Sequence, residues 1–366
     1  MKLLINHIAS AVIICNFLST SAALAWGNRG HDALTVTATR IAGQRYKDSK
    51  FVAPLFSRTE MLAHLANIPD IYWKTLPREE RKILDTAHYF DVDLVKVDPM
   101  KAFPKTLEDL LAQAKVLCKL PEVDPTLSCD GKSGTKEIMQ AIGSAPWRIE
   151  QLASAMQSSF AQAKDLQNSQ GEEAQFKAAV DNALFYGGLL SHFVGDLAMP
   201  LHTSSDHDAY AVGLGGLHYY FEDLLVDQLN FGFYDEVKDY AIRQKPTQSL
   251  VAKNHASTYV EYATGLALNS YAALPQLFKL DRKFALIKPS SHASGLKIMA
   301  ERKDPALAVV GFRPFLKVRM AFGADVLSTI WYEAWKRGGS PDLSKYKSYD
   351  FRLKPDPIPL SYLDTK

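Results

Sequence analysis

Imidazole and carboxylate side chains recur at helical spacing in the middle of this 366-residue chain. His192 precedes Asp196 by four residues in a predicted helix, and His218 precedes Glu222 by the same spacing, so each pair shares one helical face. His202 lies between the pairs, just after a proline that should break the helix. Imidazole and carboxylate ligands without cysteine suit Zn²⁺ and leave room for a water that the metal activates.

A single His–Asp pair on a helix is also typical of a solvated surface pair. Here two pairs and His202 fall within 31 residues, among apolar residues such as Phe193 and Leu201. Burying so many ionisable groups without a metal ion would be costly. The pattern therefore predicts a metal site.

The segments that must position these residues are predicted to be helical. Apolar residues recur at spacings of three and four, which predicts helices over 27–44, 105–118, 135–165, 173–198, 257–281 and 315–337. Connections rich in glycine or proline fall near 119–134, 203–217, 286–295 and 338–366. Without a repeat or a low-complexity linker, the simplest organisation is a single all-α domain over 26–345 and a proline-containing, extended tail over 346–366.

Composition excludes some classes of protein. Hydrophobic residues make up 47% of the chain and charged residues 22%, which is typical of a globular protein rather than a disordered or fibrous one. The formal net charge is only +2, so no overall basic bias indicates a nucleic-acid partner. The function must therefore be inferred from a site.

The first 25 residues have the layout of a secretory signal peptide. Lys2 precedes an apolar stretch over 3–18, and the small-residue triplet Ala23-Leu24-Ala25 follows. Cleavage there would make Trp26 the first residue of a secreted or periplasmic protein; a membrane anchor or a buried helix is the alternative. No later stretch is long and apolar enough to predict a transmembrane segment.

Two cysteines, Cys118 and Cys129, remain after removal of the predicted signal peptide. They flank a loop that contains proline and aspartate, which predicts one short disulfide in an oxidising compartment. Two free thiols are the alternative.

The string from His192 to Asp196, continuing through Leu-Ala-Met-Pro-Leu to His202, resembles the signature of the zinc-dependent phospholipase C and S1/P1 nuclease superfamily. Three further strings resemble elements of that family in the same order: Trp26-Gly-Asn-Arg-Gly-His31, Asn67-Ile-Pro-Asp70 and Ala87-His88-Tyr-Phe-Asp91. The resemblance covers the chain from Trp26 to about residue 225, and more vaguely the helix near 315–337.

The resemblance implies a helical domain with a cleft that holds three zinc ions. Its nine implied ligands form three sets: Asp70, His88, His192 and Asp196 for the first ion; the amino group and carbonyl of Trp26, His31 and the bridging Asp196 for the second; and His202, His218 and Glu222 for the third. A backbone amine becomes a ligand only after signal cleavage exposes it, so export and metal binding would be coupled.

The implied activity is metal-assisted hydrolysis of a phosphate ester by a metal-bound hydroxide. Asp70 would orient this hydroxide, and Asp196 would set the spacing of two ions. The third ion would offset charge on the phosphate and leaving group. Neither a nucleophilic side chain nor an organic cofactor is implied.

The substrate class divides within the family. The spacing from Trp26 to His31 resembles the nucleases, which predicts an S1/P1-type nuclease acting on single-stranded nucleic acid, with 3′-nucleotides as a further substrate. Glu222 resembles the phospholipases, and the short 203–217 loop lacks the Gly-Gly-Asn segment of nucleases. A phospholipase C that releases phosphorylated headgroups, with an apolar rim around its cleft, is therefore the alternative, and a non-catalytic zinc-binding surface protein is the third hypothesis.

The sequence assigns no substrate-contacting residue and predicts no protein partner. Four aromatic residues near the implied ligands are candidates for base stacking or for lining a cleft, and equally for ordinary core or surface positions: Tyr72, Trp73, Trp147 and Tyr210. His207 is more typical of a solvated loop residue than of a substrate contact.

Overall fold

A computed structural model of the chain describes residues 26–95, 106–117, 135–254, 257–293 and 296–364. These ranges are mostly helical with four short strands, which confirms the predicted all-α class. None of their helices combines the length and apolar character that crossing a bilayer requires. The predicted signal peptide, Cys118 and Cys129 lie outside the described residues, so cleavage and disulfide stay predictions.

The α-helices of the described ranges are α1 (Gly27–Tyr46), α2 (Ser49–Ser57), α3 (Thr59–Ile71), α4 (Arg78–Leu84), α5 (Val92–Val95), α6 (Leu107–Leu117), α7 (Thr135–Ile142), α8 (Ala145–Asn168), α9 (Glu173–Ala198), α10 (Leu217–Tyr219), α11 (Leu225–Asp227), α12 (Gly232–Gln244), α13 (Pro246–Asn254), α14 (Tyr259–Tyr271), α15 (Leu274–Phe284) and α16 (Pro305–Arg337). Short 3-10 turns cover Trp73–Thr75, Asp85–His88, Pro200–Thr203 and Ser361–Leu363, and a π-helical turn, Tyr220–Leu224, joins α10 to α11.

Helix α9 forms the centre of the core. It packs against α8, α3, α16 and α1, and every residue over 187–200 is buried. A helix that is enclosed on all sides must be apolar nearly all round, and the few polar residues on it need a specific partner. His192 and Asp196 are therefore placed in the interior by the packing of the helix that carries them.

The carboxyl end of α9 is held by two side chains. Arg319 Nε donates to the Ala198 carbonyl at 3.0 Å, and Ser270 Oγ donates to the Leu197 carbonyl. The last carbonyls of a helix have no partner within the helix, so these two bonds fix the turn that follows Asp196.

Helix 135–165 was expected to be continuous, but the structure breaks it at Gly143 and Ser144. Gly143 has φ +82°, and a Cβ there would lie 2.1 Å from the Tyr89 carbonyl oxygen, so only glycine fits. The Ser144 amide then donates to the Thr86 carbonyl at 2.6 Å. The break thus joins α8 to the 3-10 turn that carries His88.

Three other expected boundaries also differ. The helix predicted over 257–281 is divided into α14 and α15, since Pro275 begins a new helix one turn after the first one ends. Helix α16 begins ten residues earlier than predicted, at Pro305, and accommodates Pro314 within its length. The connection expected over 286–295 contains strands.

These strands form two successive antiparallel pairs, together called the exposed hairpin here, whose described residues are 286–293 and 296–302. Its strands are β1 (Leu286–Lys288), β2 (Ser291–Ala293), β3 (Leu296–Ile298) and β4 (Glu301–Arg302). β1 pairs with β4 and β2 pairs with β3, with an irregular register between Leu286 and Lys288.

The C-terminal segment over 346–364, here called the C-terminal strap, lies extended across the helices. Arg58 Nη1 donates to the Ser348 carbonyl at 2.8 Å, and Trp73 Nε1 donates to the Pro355 carbonyl at 3.0 Å. Near its end, Tyr362 is hydrogen-bonded to Ser144 at 3.0 Å. The strap therefore contacts both the turn after Asp70 and the break before α8.

Candidate metal centre

Eight side chains that the sequence singled out as metal ligands are buried, and seven helical elements bring them together. His31 comes from α1, Asp70 from α3 and His88 from the turn Asp85–His88; the remaining five come from α9 and the segments that follow it: His192, Asp196, His202, His218 and Glu222. All eight are less than a tenth exposed.

The first implied set converges closely. His88 Nδ1 lies 3.1 Å and His192 Nε2 3.3 Å from Asp196 Oδ2, and both nitrogens lie 3.7 Å from Asp70 Oδ1. Ligand atoms about 2.1 Å from a tetrahedral zinc ion are separated by roughly 3.4 Å. His88, His192 and Asp196 therefore have the spacing that one divalent ion requires, and Asp70 lies beside both imidazoles.

The second implied set adjoins the first through Asp196. His31 Nε2 lies 3.5 Å from the other oxygen of this carboxylate, Oδ1, and the His31 ring stacks on His192 at 4.1 Å. Trp26 is fully buried, and its indole Nε1 donates to the Gly195 carbonyl at 2.6 Å. The backbone nitrogen of Trp26 is thereby held in the interior, beside the ligand side chains.

The third implied set lies at the short helix that follows the 203–217 loop. His218 Nε2 lies 3.0 Å from both Glu222 Oε2 and His202 Nε2, and His202 Nε2 lies 3.6 Å from the same carboxylate oxygen. The Trp26 backbone nitrogen is 3.1 Å from Glu222 Oε2, so this set adjoins the second one. Glu222 is in the π-helical turn, a feature often found at functional sites.

Three of the histidines use one ring nitrogen to bond a backbone carbonyl. His192 Nδ1 pairs with Ala66 at 2.7 Å, His202 Nδ1 with His88 at 2.6 Å and His218 Nδ1 with His207 at 2.7 Å. Because Nδ1 is the donor in each case, Nε2 keeps its lone pair and faces the cluster. This is the arrangement that metal-bound histidines usually have.

Burial shifts the proton equilibria of the cluster. It lowers the pKa of His88 and His192 well below the ordinary value, and the positive charge of Lys74 adds to this shift. Burial also raises the pKa of Asp196 well above its ordinary value, reinforced by Asp70, and raises the pKa of Glu222 to about 7. The imidazoles are therefore neutral, and they do not balance the negative charge of the carboxylates that they surround. Such a set of donor atoms suits a divalent cation.

The residues present fit a metal on a further ground. Asp196 Oδ1 and Glu222 Oε1 are buried carboxylate oxygens without a hydrogen-bond partner. Burying such oxygens costs free energy unless they coordinate a cation. Three groups of side chains have ligand atoms within 4.8 Å of one another: His31, Asp70 and His192; His88, His192 and Asp196; and His202, His218 and Glu222. The described residues therefore contain buried groups that can hold metal ions.

Gly195 lets α1 approach the ligand-bearing helix. A Cβ at this position would lie 2.8 Å from His31 Nδ1 and 3.5 Å from the Trp26 ring. A larger residue would push the His31 ring away from Asp196, whereas the distance to Trp26 is an ordinary van der Waals contact. The glycine between His192 and Asp196 in the sequence therefore serves the geometry of the cluster.

Lys74 is a charged group at the centre that sequence reasoning missed. Its Nζ lies 2.5 Å from Asp70 Oδ1. Burial alone would lower the pKa of Lys74, but the Asp70 carboxylate outweighs this effect and raises it. The sequence signal for Lys74 was that it follows Asp70 by four residues. Helix α3 ends between these two residues, so they do not form a regular helical pair.

The structure separates the aromatic candidates. Trp73 and Trp147 are 3% and 7% exposed and belong to the core, which is the alternative that the sequence analysis gave to stacking on substrate. Tyr72 and Tyr210 are partly exposed, each with a lysine over its ring. His207 is partly exposed and packs against Tyr89 near Asp91.

Fold and geometry thus define a helical protein with a buried centre competent to bind metal ions. Comparisons of the chain with protein-family models, curated proteins and solved structures gave no match.

Ser144 supports the His88 turn, and its loss should weaken metal binding. Ser144 Oγ is hydrogen-bonded at 3.0 Å to both Thr86 Oγ1 and Tyr362. We expect Ser144→Ala to lower the free energy of unfolding by about 1–3 kcal/mol and zinc affinity on the order of tenfold. Urea unfolding and competitive zinc titration measure the two effects.

Ser159→Ala is the matched control, since Ser159 on α8 bonds only the Ala155 carbonyl of its own helix. It should leave zinc affinity unchanged. Equal zinc affinities for Ser144→Ala and the unmodified protein would show that the His88 turn needs no such support.

Stability of the metal-free protein should depend on pH through four buried histidines and the partly buried His207. Burial lowers the pKa of His207 and of His218 from 6.5 to about 4, and lowers those of His88, His192 and His202 as well. The unfolded chain takes up these protons near pH 6.5 and the folded chain does not, so stability falls as the pH falls from 6.5 toward 4.

The raised pKa values of carboxyl groups act in the opposite direction, because the folded chain takes up those protons first, and the rises are largest at Glu222, Asp196 and Asp91. The five imidazoles outnumber these three carboxyls, so the net effect should be a loss of stability in acid. Thermal unfolding of chelator-treated protein tests this, with His207→Gln expected to show a shallower dependence. A Tm that stays constant across this window would contradict the expected charge states.

Proposed function

We propose that this protein is an exported, zinc-dependent hydrolase of phosphate esters with the helical architecture of the phospholipase C and S1/P1 nuclease superfamily. The observation that supports it is the convergence of residues far apart in the sequence. Eight side chains and the Trp26 backbone nitrogen, selected from the sequence by helical spacing and by resemblance, form adjoining buried groups with ligand spacing. Unrelated positions would not be expected to meet in this way.

Zinc bound by these residues would supply Lewis acidity and lower the pKa of a water molecule. The Asp196 carboxylate faces His88 and His192 with one oxygen and His31 with the other, so it is placed to connect two sites. Asp70 lies at their edge with Lys74 beside it. Its carboxylate would orient the attacking water, and the Lys74 ammonium would attract the substrate phosphate.

Two substrate classes follow from the same chemistry. The Trp26-to-His31 spacing supports an S1/P1-type nuclease that cleaves single-stranded nucleic acid. A phospholipase C is the second candidate, and a specific observation favours it: exposed aliphatic side chains lie on the hairpin that contacts the loop before His218. A zinc-binding surface protein without turnover is the least favoured.

The test is hydrolysis by purified protein that begins at Trp26. Single-stranded RNA, single-stranded DNA, a 3′-nucleotide and phosphatidylcholine are each assayed with and without a chelator, followed by added zinc. We expect chelator-sensitive hydrolysis of at least one substrate, restored by zinc and lost in Glu222→Gln. Asp223→Asn, one residue away, should retain it. Zinc binding without hydrolysis of any of these substrates would contradict the proposal.

A further inference from the structure

The exposed hairpin carries aliphatic side chains that no other described segment covers. Leu296 is 68% exposed, Met299 62%, Ile287 57% and Ile298 47%. Single exposed aliphatic residues are normal on a protein surface, but four within one short hairpin are not.

The hairpin has two different faces. His292 pairs with Lys297 in the register, and both side chains lie against the Tyr210 ring, with Lys297 Nζ at 4.9 Å from its centroid and His292 at 5.9 Å. Successive residues of a strand alternate between faces, so Leu296 and Ile298 are on the face opposite to Lys297. One face is therefore held by the 203–217 loop, and the other presents aliphatic groups outward.

Backbone hydrogen bonds fix the hairpin to the loop that precedes His218. The Ser290 amide donates to the Gly213 carbonyl at 2.9 Å, and the Ala300 amide donates to the Gly215 carbonyl at 2.9 Å. In the same loop, an Asp208 oxygen accepts the His218 amide at 3.1 Å. The aliphatic face is thus attached to the segment that carries the third ligand group.

The positive charge of this region favours an anionic partner. Residues 279–303 contain seven Lys or Arg and two acids, and one of these acids, Asp281, is paired with Arg302 at 2.8 Å. Aliphatic groups flanked by lysines suit an anionic lipid interface, where acyl chains accept the former and headgroups the latter. A surface for single-stranded nucleic acid would instead present aromatic rings, and the outward face of β3 carries none.

We propose that the exposed hairpin docks the protein on anionic phospholipid surfaces by inserting Leu296 and Ile298, with Lys288 near the headgroups. Docking would bring the third ligand group close to the lipid. Hydrolysis of that lipid would rest on the proposed function, whereas docking itself does not.

The experiment is flotation of the mature, zinc-loaded protein with vesicles of phosphatidylcholine, with and without phosphatidylglycerol. We expect binding to the vesicles that contain phosphatidylglycerol, weakened by salt. The Leu296→Ser/Ile298→Ser double variant should reduce this binding on the order of tenfold or more. Leu353→Ser, on the C-terminal strap and 67% exposed, is the matched control and should bind like the unmodified protein.

Three results would overturn the proposal: absence of vesicle binding, equal binding by the double variant, or binding of single-stranded RNA that the same two substitutions abolish. Unchanged zinc content and Tm of the double variant establish that it is folded. Chelator-treated protein is floated in parallel, and hydrolysis is measured separately. Vesicle binding without hydrolysis would support docking and contradict the proposed function. Hydrolysis without vesicle binding would support the proposed function and contradict docking.

Discussion

Replacing Asp196 by asparagine should remove two metal ions at once and reduce hydrolysis on the order of a thousandfold. This carboxylate faces His88 and His192 through Oδ2, at 3.1 and 3.3 Å, and His31 through Oδ1, at 3.5 Å. Asparagine keeps the shape of the Asp196 side chain but offers only one, uncharged oxygen. Both metal sites therefore lose the negative charge that this carboxylate supplies. Native mass spectrometry counts the ions, with one remaining of the three expected, and the substrate panel measures hydrolysis.

The metal-free form of Asp196→Asn provides a check on the cause. Burial and the nearby Asp70 carboxylate raise the pKa of Asp196, so removing its charge should not lower the Tm of the metal-free protein. Asp223→Asn is the control, since Asp223 is acidic and lies beside Glu222 without joining the ligand group. Three ions on Asp196→Asn would exclude the bridging role.

Extending the mature chain by one glycine before Trp26 should cost the protein one metal ion and on the order of a hundredfold in hydrolysis. The Trp26 backbone nitrogen is buried 3.1 Å from Glu222 Oε2, and the indole is fixed by the Gly195 carbonyl. An amine can donate a lone pair to a metal, whereas a peptide nitrogen holds its lone pair in resonance and cannot. Native mass spectrometry and the hydrolysis assay compare the two chains.

Removing the extra glycine with an aminopeptidase is the matched control, because it restores the free amine without any other change. Ion count and hydrolysis should then return together. An extended chain that already binds three ions and hydrolyses substrate at the full rate would show that the amine is not a ligand.

Much of the candidate centre was predictable because its ligands fall on regular elements. His192 and Asp196 share one face of α9 by helical periodicity, and His218 and Glu222 do so approximately through the π-helical turn. The approach of His31 to Asp196 does not follow from periodicity, since it depends on tertiary packing across Gly195. Resemblance to known strings, rather than local spacing, was what connected these distant segments.

Other features were beyond local sequence patterns. The burial of Trp73 and Trp147 depends on contacts with the C-terminal strap and with Phe90, from distant parts of the chain. Lys74 enters the centre only because α3 ends in a 3-10 turn. Residues 286–295 were predicted as a connection, since the strands of the exposed hairpin are two or three residues long and too short to show alternation.

Anomalous diffraction at the zinc absorption edge, from crystals of the protein that begins at Trp26, tests the metal centre most directly. The expected result is three anomalous peaks: one among Asp70, His88, His192 and Asp196; one at the Trp26 amine, His31 and Asp196; and one among His202, His218 and Glu222. Crystals soaked in chelator should lose all three. Zinc-soaked crystals without a peak at these side chains would contradict the metal centre and, with it, the proposed hydrolysis.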